Sequence, residues 1–223
     1  MTVPTIIFDF DGTLVQSLET VVTIINRLAP EFGYRSSSPQ EIARLREVGT
    51  REAMLQVGLP WYKLPFVTRR LRAEMNEEIH RLQLVDGIKE VLQQLRAQGY
   101  RLGIITSNAE KNVQSCLHNH QLDRCFDFVE SEFNLFGKAR TIKKAIAKYR
   151  LDRQTVIYVG DEARDMQAAR KIRVVAIAVA WGFHSRELLA ASSPDYLIES
   201  PMELVEIMQE LTLLQKTQHF PLS

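Results

Sequence analysis

From Ile88 to the end of the chain, short β-branched apolar runs alternate with amphipathic stretches of about ten residues, and that alternation leaves few folds open. Residues 101–106, 126–129, 155–159, 174–179 and 196–198 read as strands. Residues 88–96, 109–119, 138–149, 163–172, 185–191 and 201–214 read as helices, the first ended at Gly99, and 219–223 read as a loose tail. Strands that alternate with helices pair in parallel, because each helix carries the chain back across the sheet. The expected class is therefore α/β: a doubly wound parallel sheet with helices on both faces, to which Thr5-Ile6-Ile7-Phe8 adds a first buried strand.

Between that first strand and residue 86 the alternation is absent. Val21, Ile24, Ile25 and Leu28 form one helical stripe, and Ile42, Leu45, Ala53, Met54, Leu55, Val67, Leu71, Met75 and Ile79 supply others. Pro30, Pro39, Pro60 and Pro65 are expected to break these segments. The block reads as an inserted helical domain, which divides the chain into an α/β core of 1–15 and 86–223 and a helical domain of 16–85.

Composition narrows the partners. A net charge of +1 without a Lys/Arg run argues against nucleic acid or an acidic membrane surface. The longest apolar run, Val174 to Trp181, is too short to span a bilayer. The N-terminus lacks a basic region followed by an apolar one, and Cys116 and Cys125 form no Cys-x-x-Cys pair, so a reduced cytoplasmic protein is expected.

Ligands of parallel α/β sheets bind beyond the carboxyl ends of the strands. Polar clusters stand at three such ends: Asp9 and Asp11, then Ser107 and Asn108, then Asp161, Glu162 and Asp165; Lys138 opens a helix. Asp9, Asp11, Asp161 and Asp165 together would repel one another unless a hard divalent cation with oxygen ligands, such as Mg2+, joined them. Lys138 and the hydroxyls of Thr13 and Ser107 suit phosphoryl oxygens. One carboxylate can attack phosphorus, and a second two residues later can protonate the leaving oxygen and then deprotonate water.

Asp9-x-Asp11-Gly12-Thr13-Leu14, Thr106-Ser107-Asn108, Lys138 and Gly160-Asp161-Glu162-x-x-Asp165 occur in an order that resembles the phosphatase branch of the haloacid dehalogenase superfamily. Ala168-Ala169, Trp181-Gly182, Glu187-Leu188, Pro194-Asp195-Tyr196-Leu197-Ile198 and Pro201-x-Glu203-Leu204 look like phosphoglycolate phosphatases and their close relatives. The resemblance implies a Rossmann-like core with an inserted α-helical cap domain. It implies Asp9 as nucleophile and metal ligand, and Asp11 as general acid and base with its carbonyl on the metal. Gly12, Thr13, Ser107, Asn108 and Lys138 would hold phosphate, Lys138 also pairing with the nucleophile. Asp161 and Asp165 would complete a Mg2+ site. The substrate would be a small phosphorylated metabolite, and the protein a monomer or homodimer.

Asp-x-Asp-Gly-Thr-Leu after a strand is specific; Gly160-Asp161-x-x-x-Asp165 alone is a common strand-to-helix turn with a capping acid. Arg44, Arg46 and Arg51 surround a Val48-Gly49-Thr50 turn and could hold a substrate carboxylate, although a solvated face is the simpler reading. Glu162 and Arg164 read as a local pair, Trp181 and Phe183 as packing residues, and His184 as a loop residue. A phosphomutase of the same superfamily, or a non-catalytic protein on the same fold, remains open. A phosphonate hydrolase would need a cap lysine, for which Lys63 is the candidate.

Overall fold

The computed structural model describes residues 4–218, except 132–136, and the side chains as far as 213. The predicted tail at 219–223 lies outside the described residues.

Six strands form one parallel sheet: β1 (Thr5–Phe8), β2 (Arg101–Thr106), β3 (Phe128–Ser131), β4 (Val156–Gly160), β5 (Val175–Val179) and β6 (Tyr196–Ile198), in the order β3-β2-β1-β4-β5-β6. The direction of winding reverses between β1 and β4, which opens a crevice at their carboxyl ends. Residue alternation sorts the strands onto two cores. Ile6, Phe8, Ile104, Val159 and Ile177 face one side, under α5 (Ile88–Ala97), α6 (Glu110–Asn119) and α10 (Pro201–Gln218). Ile7, Ile105, Tyr158, Ala176 and Ala178 face the other, under α7 (Lys138–Lys148), α8 (Ala163–Ile172) and α9 (Arg186–Ala191). Each fully buried aliphatic side chain contributes about 1.5–3 kcal/mol, so one-residue slips of these strands are strongly disfavoured.

The helical segment between β1 and α5 holds α1 (Leu18–Phe32), α2 (Pro39–Leu45), α3 (Thr50–Gln56) and α4 (Leu64–Glu78). Its two connections to the sheet run side by side: the Gln16 amide donates to the Gln83 carbonyl at 2.9 Å, and the Val85 amide to the Leu14 carbonyl at 3.0 Å. Pro39, Pro60 and Pro65 fall at boundaries of its helices as expected, Pro60 in the connection between α3 and α4, whereas Pro30 does not. Pro39 and Pro65 lie in the first turns of α2 and α4, where no amide hydrogen is needed. Pro30 lies inside α1; the Asn26 carbonyl it leaves free accepts the Ser36 hydroxyl at 3.3 Å instead.

Among the later elements β3 starts two residues further on than expected. Phe128 is the first residue in register with β2, opposite Gly103, while Phe126 turns its ring edge-on to Phe8. No helix among the described residues is long and apolar enough to cross a membrane.

Candidate active site

β1 delivers Asp9 and β4 delivers Asp161 to the crevice at the reversal point, and both are buried. Asp165 follows on the first turn of α8, and Lys138 reaches in from the first residue of α7. Carboxylate oxygens of Asp9, Asp161 and Asp165 lie within 4.8 Å of one another. The Lys138 ammonium donates to Asp9 Oδ2 at 2.5 Å and stands 2.6 Å from Asp165 Oδ1. It sits 5.5 Å from the centre of the Tyr158 ring. Burial opposes its charge, but Asp165 and Asp9 outweigh burial and hold its pKa well above the usual lysine range.

Each acid is oriented by its surroundings. Asp9 Oδ1 accepts the Phe10 amide at 2.7 Å. Asp161 Oδ1 accepts the Thr13 hydroxyl at 2.8 Å, and its Oδ2 accepts the Phe183 amide at 2.7 Å. Asp165 Oδ2 accepts the Glu162 amide at 3.2 Å. The glycines are steric requirements. A Cβ on Gly12, whose φ is +74°, would fall 2.2 Å from Asp161 Oδ2, and one on Gly182 would fall 2.2 Å from Asp161 Cβ.

The donor set fits a divalent cation. Three carboxylates against one ammonium leave two negative charges unbalanced. Burial, then Asp9, Glu162 and Asp165, push the Asp161 carboxyl well above its usual range, the strain that a cation on hard oxygen ligands relieves. Asp165 is pushed up to about 6, by burial first.

Asp11 stands apart from this cluster. Its Oδ2 accepts the Asn108 side-chain amide at 3.0 Å, and its pKa is pushed up to about 6 by burial and then by the charge of Asp9. Asn108 is fixed in turn by Asn112 and by the Ala109 amide, so it braces Asp11. Thr13, fully buried, commits its hydroxyl to Asp161. Ser107 lines the same cavity as Asp9 and Asp11.

That cavity, about 280 Å3, extends from the acids into the helical segment, where Val21, Val67, Leu71 and Met75 form much of its wall. Of the arginines singled out in the sequence, Arg44 and Arg51 are exposed and Arg46 donates to the carbonyls of Gly182 and Phe183 at 2.9 and 3.0 Å. Arg72, only 8% exposed, is the arginine of the helical segment most deeply set in the cavity wall. Lys63 caps the Phe32 carbonyl at 2.7 Å. Glu162 pairs with Arg164 and accepts the Thr50 hydroxyl as well. Phe183, Arg46 and Thr50 act across more than 100 residues of sequence, and no local pattern marks them.

A doubly wound sheet with buried carboxylates and a lysine at its reversal point defines an α/β enzyme built for charged-substrate chemistry. Residues 6–179 match the model of the haloacid dehalogenase-like hydrolases, and the chain belongs to that family. It is 38% identical to a phosphoglycolate phosphatase of Synechococcus elongatus, over 92% of this chain and 97% of the relative. It is 21% identical to a pyrophosphatase of Bacillus mycoides, over 95% and 99% of the two chains. A haloacid dehalogenase-like hydrolase of Streptococcus pneumoniae superposes with a TM-score of 0.75 at 25% identity, over 92% and 98%.

Proposed function

We propose that this chain is a phosphatase that hydrolyses a small phosphomonoester through an aspartyl-phosphate on Asp9. The convergence of Asp9, Asp161, Asp165 and Lys138 on one another, with Asp9 and Asp11 in the wall of the cavity, carries the reading. Asp9, Asp161, Asp165 and the Asp11 carbonyl would hold Mg2+, which supplies charge neutralisation for the transferring phosphoryl group.

The Asp9 carboxylate attacks phosphorus, and the ester oxygen leaves with the proton of Asp11. A pKa near 6 keeps that proton available close to neutral pH. Asp11 then takes a proton from water, the water oxygen attacks phosphorus, and Asp9 and inorganic phosphate are released. Lys138 holds Asp9 in its attacking position, and Ser107 takes a phosphoryl oxygen. Thr13 and Asn108 contribute by orienting Asp161 and Asp11. The helical segment of 16–85 acts as a cap over the cavity and excludes water during transfer.

Likeness to a phosphoglycolate phosphatase and the cation of Arg72 in the cavity wall support a substrate with a second acidic group, as in 2-phosphoglycolate. Free thiols at Cys116 and Cys125 agree with a cytoplasmic location. Phosphate release from a metabolite panel that includes 2-phosphoglycolate, with and without Mg2+ and with Asp9→Asn in parallel, tests the proposal. Mg2+-dependent release lost in Asp9→Asn is expected; release that survives the substitution would refute it.

A further inference from the structure

Two contacts cross from the helical segment to the loops that hold the metal-site carboxylates. At the end of α2 the Arg46 guanidinium spans two successive carbonyls, Gly182 at 2.9 Å and Phe183 at 3.0 Å, and the Arg46 carbonyl accepts the Ser185 amide at 2.8 Å. At the start of α3 the Thr50 hydroxyl donates to Glu162 Oε2 at 2.8 Å. Both ties end beside the acids. The Phe183 amide is the donor on Asp161 Oδ2, and the Glu162 amide is a donor on Asp165. There is no slack between loop and carboxylate, since Gly182 has no room even for a Cβ against Asp161.

We propose that Arg46 is a positioning residue that couples the cap to the metal site: with the cap seated, its guanidinium fixes the 182–185 loop, and that loop fixes Asp161. This rests on the phosphatase reading, since it needs Mg2+ at the acids. A planar guanidinium suits the task because its rigid fork presents N–H groups in fixed directions to both carbonyls at once. When the cap swings away the three Arg46 bonds and the Thr50 bond break together, and the Phe183 amide loses its support. Coupling between binding events is reciprocal, so Mg2+ at the acids must in turn favour the seated cap.

Isothermal titration with Mg2+ and hydrogen exchange of residues 39–57 with and without Mg2+ test this in the full chain, using wild type, Arg46→Met and Arg46→Lys. In wild type Mg2+ binds and slows exchange across α2 and α3. Arg46→Met is expected to weaken Mg2+ binding about tenfold, the size typical of losing a group that orients a ligand, and to abolish the slowing. Arg46→Lys should fall between the two. Wild-type Mg2+ affinity in Arg46→Met, or Mg2+-dependent slowing that persists there, overturns the coupling alone. Absence of Mg2+ binding in wild type overturns the phosphatase reading and the coupling with it. Should Arg46→Met fail to fold, Thr50→Val removes the second tie and is expected to weaken binding in the same direction; unchanged affinity there counts against the proposal.

Discussion

Replacing Asp11 with asparagine is expected to make the metal-free protein more stable while abolishing turnover. The Asp11 carboxyl is raised from 3.8 to about 6, chiefly by burial and next by Asp9. A shift of about two units at roughly 1.4 kcal/mol each means that holding this group ionised at pH 7 costs the fold about 3 kcal/mol. A folded pKa above the unfolded one contributes stability that is fully present below 3.8 and is lost as pH rises through about 6. Asparagine has a similar shape, keeps an oxygen for the Asn108 amide and carries no charge. In chelator at pH 7, Asp11→Asn should therefore gain at most about 3 kcal/mol, or roughly 6–12 °C in Tm for a chain of this size. At pH 5 the wild-type carboxyl is mostly protonated in the fold, and the gain should shrink to about half. Scanning calorimetry of both proteins at the two pH values measures the difference. His184, whose pKa burial lowers, titrates in both proteins and cancels. No gain at pH 7, or a gain that grows on acidification, would show that burial does not raise Asp11 and that its readiness as a proton donor has another source.

Three further outcomes follow from the same geometry. Lys138→Met leaves Asp9 and Asp165 facing each other without their shared cation; urea denaturation at pH 7 in chelator should show a loss of about 3–5 kcal/mol. Gly182→Ala forces a methyl group onto Asp161, and calorimetric titration should find Mg2+ binding weaker by about 10–100-fold. Arg72→Gln should raise KM for 2-phosphoglycolate about 10–100-fold, as expected for losing a hydrogen bond to a charged group. It should leave KM for p-nitrophenyl phosphate, which has no carboxylate, unchanged; equal effects on the two would remove Arg72 from substrate recognition.

The parallel sheet, its helices and the positions of Asp9, Ser107, Lys138, Asp161 and Asp165 were legible in the sequence because each is a local event. A β-branched run makes a strand, a polar residue at its end faces the crevice, and period 3.6 marks the helix that follows. Even the errors were local. Pro30 is expected to end a helix, yet α1 continues past it, and the Asn26 carbonyl that it leaves without an amide finds Ser36, a partner that periodicity does not reveal.

What only the tertiary structure decided is how those residues are held and what surrounds them. Thr13 and Asn108, to which the resemblance gives a role toward phosphate, hold Asp161 and Asp11 across 148 and 97 residues of chain. Arg46 met the Gly182 and Phe183 carbonyls rather than solvent, Trp181 donates its indole N–H to the Thr13 carbonyl, and Arg72 rather than Arg44 or Arg51 entered the cavity wall. Such contacts join an amide or carbonyl, which every residue carries, to a side chain far away in sequence. Their pairing is set by how the helices pack on the sheet, and the residue types alone hold no record of it.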